Sequence, residues 1–224
     1  MSLSREHLVN GMFNKMAAEH AGDDGPQPLT EQELSDSMQS LLKDSPAKNH
    51  VWVFGYGSLI WNPIFHHDQQ HRATLYGYRR KFCLKTKLSR GTPDQPGLLL
   101  GLEPGGSCSG IAYRLCGEQL HEDLTLLWRR EMVTGAYRPR WVSLKTDDAP
   151  ITGLAFVMNR QYVHYACGLS DEETAKVLAV AKGPLGTCAE YLFNTYDGLH
   201  QHGIKDNHML ELVERVKRLH TSTE

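Results

Sequence analysis

Two short features of this 224-residue chain carry the residue types that chemistry needs. The first is Phe54-Gly55-Tyr56-Gly57-Ser58-Leu59, directly after the apolar run that begins at Val51. Two glycines around a tyrosine let the backbone turn tightly and approach a ligand without Cβ obstruction, leaving N–H groups free to hold an oxyanion or carboxylate. A plain glycine-rich turn accounts for the same residues equally well. Familiar glycine motifs do not fit: a dinucleotide fingerprint needs glycine where Ile60 stands, and a P-loop needs Lys-Ser/Thr. A nucleophile elbow centred on Ser58 needs glycines at the positions of Tyr56 and Ile60.

The second feature is Glu131. At ~100° per residue, Leu120, Leu124, Leu127 and Trp128 define one apolar helical stripe, and Glu131 returns to the middle of it. Glu118, Glu122 and Asp123 fall off the stripe and are expected to face water. A carboxylate on an apolar face lacks full hydration, which raises its pKa and poises it for proton transfer. The alternative is an internal ion pair with Arg129, Arg138 or Arg140.

Two further clusters invite functional readings that the pattern does not favour. From Arg72 to Arg90 the chain has seven basic residues and no acid, with Tyr76, Tyr78 and Phe82 among them. Phe82, Leu84, Thr86 and Leu88 alternate with Lys81, Cys83, Lys85 and Lys87, the pattern of a half-buried strand with a solvated basic face. Attraction of a small anionic substrate is the secondary reading. The run His66-His67-Asp68-Gln69-Gln70-His71 lacks the spacing of a metal site and reads as a surface loop.

The elements around these residues fall into three stretches. Residues 1–50 have no strand pattern: residues 22–28 form a break, Thr30 with Glu33 makes a capping box, and Leu34, Met38, Leu41 and Leu42 share one helical side. From Val51 the texture becomes short β-like runs, about six strands in all, with turns at Pro104-Gly105-Gly106 and at residues 147–150. One helix, residues 118–132, interrupts them. Ser170 with Glu173 opens a helical C-terminal part, and helices are predicted over 186–203 and 206–220. The expected fold is α+β, a small barrel-like sheet flanked by helices, with residues 1–48 as an N-terminal helical extension and 49–220 as one domain.

Composition narrows the function classes. A net charge of -2 gives no global attraction to nucleic acid, and no segment approaches the ~18 apolar residues of a membrane span. The N-terminus lacks a secretory signal, so a cytoplasmic location is expected. Five scattered cysteines, with no C-x-x-C, fit neither a disulfide framework nor a structural zinc site.

With these residues in hand, the sequence resembles the ChaC family, the glutathione-specific γ-glutamylcyclotransferases. The matching stretches are VWVFGYGSLIWNP (51–63), GYRRKFCL (77–84), RGTPDQPG (90–97), GIAYRL (110–115), LTLLWRREMVTGAYRP (124–139) and GPLGTCAEYLF (183–193), in order and without large gaps. The resemblance implies the γ-glutamylcyclotransferase-like fold, a small mixed β-barrel with helices around it. It also implies cleavage of glutathione, a small-molecule substrate, into 5-oxoproline and cysteinylglycine without cofactor or metal. It further implies that the loop Gly55, Tyr56, Gly57, Ser58, Leu59 and Ile60 holds the γ-glutamyl group, that Glu131 is the catalytic glutamate, and that Tyr191 lines the pocket. Ala136 stands between Gly135 and Tyr137 where some members carry a second glycine. The same loop and glutamate also suit other γ-glutamyl amino acids or amines. A non-catalytic role as a cation-transport regulator is the reading from a different class.

In a γ-glutamyl amide the substrate's own α-amine can attack its side-chain carbonyl. Intramolecular attack offers effective molarities of about 10⁵–10⁸ M once the chain is folded back. Such a reaction requires a base, here Glu131, and backbone donors such as the Tyr56 to Leu59 amides for the developing oxyanion.

Overall fold

The computed structural model of the protein describes residues 3–21 and 27–221. The break expected over 22–28 lies mostly outside the described residues. Among the described residues, three helices precede the sheet: α1 (Arg5–Val9), α2 (Met12–Ala21) and α3 (Glu31–Lys43). The Thr30–Glu33 capping box opens α3, and its buried residues, Leu34 and Met38, are two of the four expected to share one side.

The barrel strands are β1 (His50–Gly55), β2 (Gln69–Thr86), β3 (Gly97–Cys116), β4 (Tyr137–Lys145) and β5 (Ile151–Met158). They close in the order β1-β3-β2-β4-β5. Pairing is antiparallel except where β5 meets β1 in parallel at Val53 and Leu154. This α+β barrel with flanking helices has five strands, where the sequence pattern led us to expect about six. The runs at 98–102 and 110–115 are one strand, and Pro104-Gly105-Gly106 is not a hairpin connection. Gly105 (φ 103°) and Gly106 (φ 72°) form an irregularity opposite the register shift between Tyr76 and Tyr78, so the turn-forming residues bend a long strand instead of ending it.

The basic strand β2 is also less regular than simple alternation predicts. A second register shift between Phe82 and Leu84 accompanies burial of Cys83, which was expected on the solvated face. The segment after β5 covers it: the Ala166 amide donates to the Cys83 carbonyl, and the Lys85 amide donates to the His164 carbonyl.

Helix α4 (Leu120–Glu131) lies between β3 and β4. Acidic Glu122 and Asp123 in its first turn and basic Arg129 and Arg130 in its last suit the helix dipole. Leu124, Leu127 and Trp128 are buried against the barrel, and the Trp128 ring meets Phe156 edge-on at 5.4 Å. Gly135, at φ 71°, then reverses the chain into β4. Asp123 was expected to face water and instead is 1% exposed. Its carboxylate accepts from Arg5 Nη1 at 2.5 Å and from the His66 amide at 3.1 Å, partners distant in sequence.

After the barrel come α5 (Asp171–Val180), the short strands β6 (Lys182–Gly183) and β7 (Gly186–Thr187), α6 (Cys188–Gln201) and α7 (Asn207–Thr221). Capping boxes open α5 at Ser170 and α6 at Thr187. Among the described residues, no helix is long and apolar enough to cross a membrane.

Candidate active site

The loop after β1, the end of α4, and α6 meet at one end of the barrel. Tyr56, Gly57, Ser58, Leu59, Glu131 and Tyr191 line one small cavity there, together with Leu100, Tyr137 and Phe156. The structure therefore brings together both sequence features and Tyr191. Gly55 and Ile60 do not line this cavity. Gly55 ends β1 against Tyr113, and Ile60 is buried, closing the turn through its amide to the Gly57 carbonyl at 3.0 Å.

The glycines serve close approach here and not a left-handed backbone, since neither has a positive φ. A Cβ on Gly57 would stand 2.9 Å from the Tyr191 hydroxyl, and one on Gly55 would stand 3.0 Å from the Tyr113 ring. Within the turn the Asn62 amide bonds the Ser58 carbonyl at 2.8 Å. No acceptor among the described residues takes up the amides of Gly57, Ser58 and Leu59, which are thus available to a ligand.

Glu131 is the last residue of α4, and its side chain is 14% exposed. Burial pushes its carboxyl pKa up, and the adjacent Arg130 guanidinium partly offsets that rise. The ion pair considered from sequence exists, but its cation is Arg130, with Nε 3.2 Å from Glu131 Oε1. Arg129 instead pairs with Glu31, and Arg138 bonds Gln161.

Arg130 is a residue of this cluster that the sequence pattern missed. It donates from Nη2 to Ser58 Oγ and from Nη1 to the Asn62 carbonyl, both at 2.8 Å. One guanidinium thus fixes the glycine turn relative to the carboxylate. Lying a residue before Glu131, it is off the apolar stripe by a helical step, so stripe arithmetic alone does not find it.

Three tyrosines keep their protons in this cavity. Burial first, and then neighbouring groups including Glu131, push the hydroxyls of Tyr56, Tyr137 and Tyr191 upward. Tyr56 donates to the Phe156 carbonyl at 2.9 Å and Tyr137 to the Leu100 carbonyl at 2.7 Å, so both act as braces. Tyr191 packs edge-on against Trp61 and Phe82, each at 6.1 Å.

The basic segment divides between roles. Arg80 is buried behind the loop, donating from Nε to the Tyr56 carbonyl at 2.6 Å and pairing with Asp206. Arg90 is also buried, 5.5 Å from the Tyr191 ring and 5.8 Å from the Trp61 ring, and it lines the outer cleft beside Glu131. Desolvation lowers its pKa. Its Nη1 donates to the Thr187 carbonyl at 2.6 Å and lies 3.7 Å from Glu190 Oε2, so this cation of the cleft wall already has a carboxylate partner. The histidine run lies elsewhere: His66 contacts Asp123, and His71 packs on Trp52.

The closed five-stranded barrel with flanking helices is a γ-glutamylcyclotransferase-like fold. A crystal structure of a yeast γ-glutamylcyclotransferase specific to glutathione superposes with a TM-score of 0.71 at 23% identity, covering 76% of this chain and 97% of that one. The chain belongs to the ChaC-like protein family, whose model matches residues 51–219. The glutathione-specific γ-glutamylcyclotransferase of Escherichia coli K12 is 41% identical over 82% of this chain and 80% of its own length. The mouse glutathione-specific γ-glutamylcyclotransferase 1 is 32% identical over 91% of this chain and 94% of its own.

Proposed function

We propose that this protein degrades glutathione in the cytoplasm, releasing 5-oxoproline and cysteinylglycine, with Glu131 as the catalytic acid and base. The observation that carries the reading is a buried carboxylate of raised pKa sharing one small cavity with unpaired amides of a glycine turn. The γ-glutamyl group lies in the inner cavity against Tyr56 to Leu59 and Tyr191, with Gly55 and Ile60 framing the turn from behind. The α-amine attacks the γ-carbonyl carbon, forming the ring C–N bond, and Glu131 takes the proton that the amine sheds. The carbonyl oxygen, negative in the tetrahedral intermediate, accepts from the Gly57 to Leu59 amides. Collapse breaks the original amide bond, and Glu131 returns the proton to the departing cysteinyl amine.

Incubation with reduced glutathione is expected to yield 5-oxoproline and cysteinylglycine in equal amounts by mass spectrometry. Turnover of γ-glutamyl amino acids with none of glutathione would instead select the broader cyclotransferase reading.

Glu131 must be ionised to accept a proton, so activity rises with pH through its pKa. Because burial raises that pKa, the acid limb of kcat/KM is expected above the ordinary glutamate value of 4.5. Removing the Arg130 charge removes the opposing influence, so Arg130→Met is expected to move the limb to still higher pH. Loss of the bonds to Ser58 and Asn62 misplaces the donors, and kcat/KM is expected to fall about 10²-fold, as for a comparable misplacement of reacting groups. A pH–rate profile of the two proteins checks both effects; an unshifted limb counts against the assigned base.

A further inference from the structure

The matched family region begins at residue 51, yet the cleft in front of Glu131 is completed by residues far upstream. Leaving the inner cavity, a ligand passes Glu131 and Tyr137 into one of two outer spaces. One carries Arg90 and Trp61, and the other carries Lys85, Lys87 and His164. Phe13 of α2 lines both, and it is the residue from the N-terminal helices that does so. Its position is anchored by side chains on both sides. Arg5 pairs with Asp123 and Glu122 of α4 and donates to the Ile64 carbonyl at 2.9 Å. Asn62 Nδ2 donates to the Leu3 carbonyl at 2.7 Å, and Asn14 bonds Glu31, which in turn pairs with Arg129. Leu8, Phe13 and Ala17 are buried in the core cluster.

We infer that Phe13 is a specificity-determining residue: the docked N-terminal helices form the outer wall of the active-site cleft, and the Phe13 ring limits the size of the leaving group. The inference rests on the assignment of the inner cavity to the γ-glutamyl group. Whatever is bonded to the γ-carbonyl then extends outward past Glu131, and by either route it meets the ring. A side chain in close-packed surroundings yields little to an added alkyl group, so a glutathione enlarged at sulfur collides with the wall. Truncating the ring opens space that an apolar substituent can fill.

The test compares glutathione with S-hexylglutathione in the wild-type protein, Phe13→Ala and the milder Phe13→Val. The kcat/KM preference for glutathione is expected to fall at least tenfold in Phe13→Ala, with Phe13→Val between the two; a purely structural role would lower both rates together and leave the ratio unchanged. Calorimetric affinity for S-hexylglutathione is expected to rise at least tenfold on truncation, a readout independent of turnover. Unchanged ratio and affinity in folded variants overturn the inference while leaving the cyclotransferase reading intact. Absence of 5-oxoproline from the wild-type protein overturns that reading instead, and the affinity comparison still decides whether Phe13 is a wall.

Discussion

Glu131→Gln is expected to fold normally and to lose about 10²–10⁴ of its 5-oxoproline-forming rate, the range for removal of a general acid–base group. The upper end of that range is expected, because in the proposed mechanism this one carboxylate both collects the α-amine proton and delivers it to the leaving nitrogen. Glutamine has the same shape and keeps an oxygen acceptor for Arg130, so the turn held through Ser58 and Asn62 stays in place. Substrate affinity is therefore expected to survive while turnover does not, since the lost interaction acts on the proton in flight and not on the bound ground state. Stability separates this outcome from misfolding. The folded-state pKa of Glu131 lies above its unfolded value, so its stabilising contribution is fully present below the unfolded pKa and is lost as pH rises through the folded one. At neutral pH the wild-type protein carries the cost of a buried charge and the glutamine variant does not. A melting temperature equal to or above that of the wild type, with the difference shrinking toward acid pH, is the expected result. Wild-type turnover in this variant would remove Glu131 from the mechanism.

That Glu131 was legible at all follows from periodicity. Helical geometry depends only on residues a few positions apart, and the same locality made the Thr30–Glu33 and Ser170–Glu173 capping boxes readable. The glycine turn was legible as a feature, but its reason was not: the glycines make room for Tyr113 and Tyr191, which lie far along the chain. Locality also explains the errors. Pro104-Gly105-Gly106 carries every local mark of a hairpin, yet β2 continues alongside it, and a continuous pairing partner turns the same residues into an irregularity within one strand. Asp123 reads as solvent-facing because it falls off the apolar stripe, and what covers it includes Arg5, whose contact spans 118 residues. Phe13 had no readable role for the same reason. A wall built from one end of the chain over a site built from its middle leaves no mark in the spacing of either. The family resemblance supplied the barrel and the likeness to glutathione-specific enzymes, and the motifs that carry it all lie from residue 51 onward.

The adjacent arginines 79 and 80 provide the other large effect, because the strand sends them to opposite environments. Arg79 is 56% exposed and approaches Glu103 at 3.5 Å, a geometry of little consequence in water. Arg80 has only 3% of its side chain exposed, and its guanidinium joins three elements: Nε holds the Tyr56 carbonyl, Nη2 the Ser109 carbonyl at 2.6 Å, and Nη1 the Asp206 carboxylate. Asp206 also accepts from the Met209 amide at 3.0 Å, so the network ties the active-site loop to the start of α7. Arg80→Leu strips the buried Tyr56 carbonyl of its donor, takes one donor from the part-buried Ser109 carbonyl, and leaves Asp206 without its cation. Removing one partner of a buried pair costs about 3–5 kcal/mol, and because Asp206 keeps 21% exposure the lower figure is expected. For a chain of this length about 3 kcal/mol corresponds to a fall of about 6–12 °C in Tm. Arg79→Ala is expected within about 0.5 kcal/mol of wild type, as for ordinary surface changes. Adding Asp206→Asn to Arg80→Leu removes the stranded charge while preserving an acceptor for the Met209 amide, so part of the lost stability is expected to return. The Tyr56 carbonyl remains unpaired in that double variant, and KM is expected to stay raised because the loop proposed to face the γ-glutamyl group has lost its brace. Thermal denaturation of the three variants, with KM measured on each, checks the division. Recovery of stability together with a normal KM would mean that Arg80 serves the fold alone and has no hold on the loop.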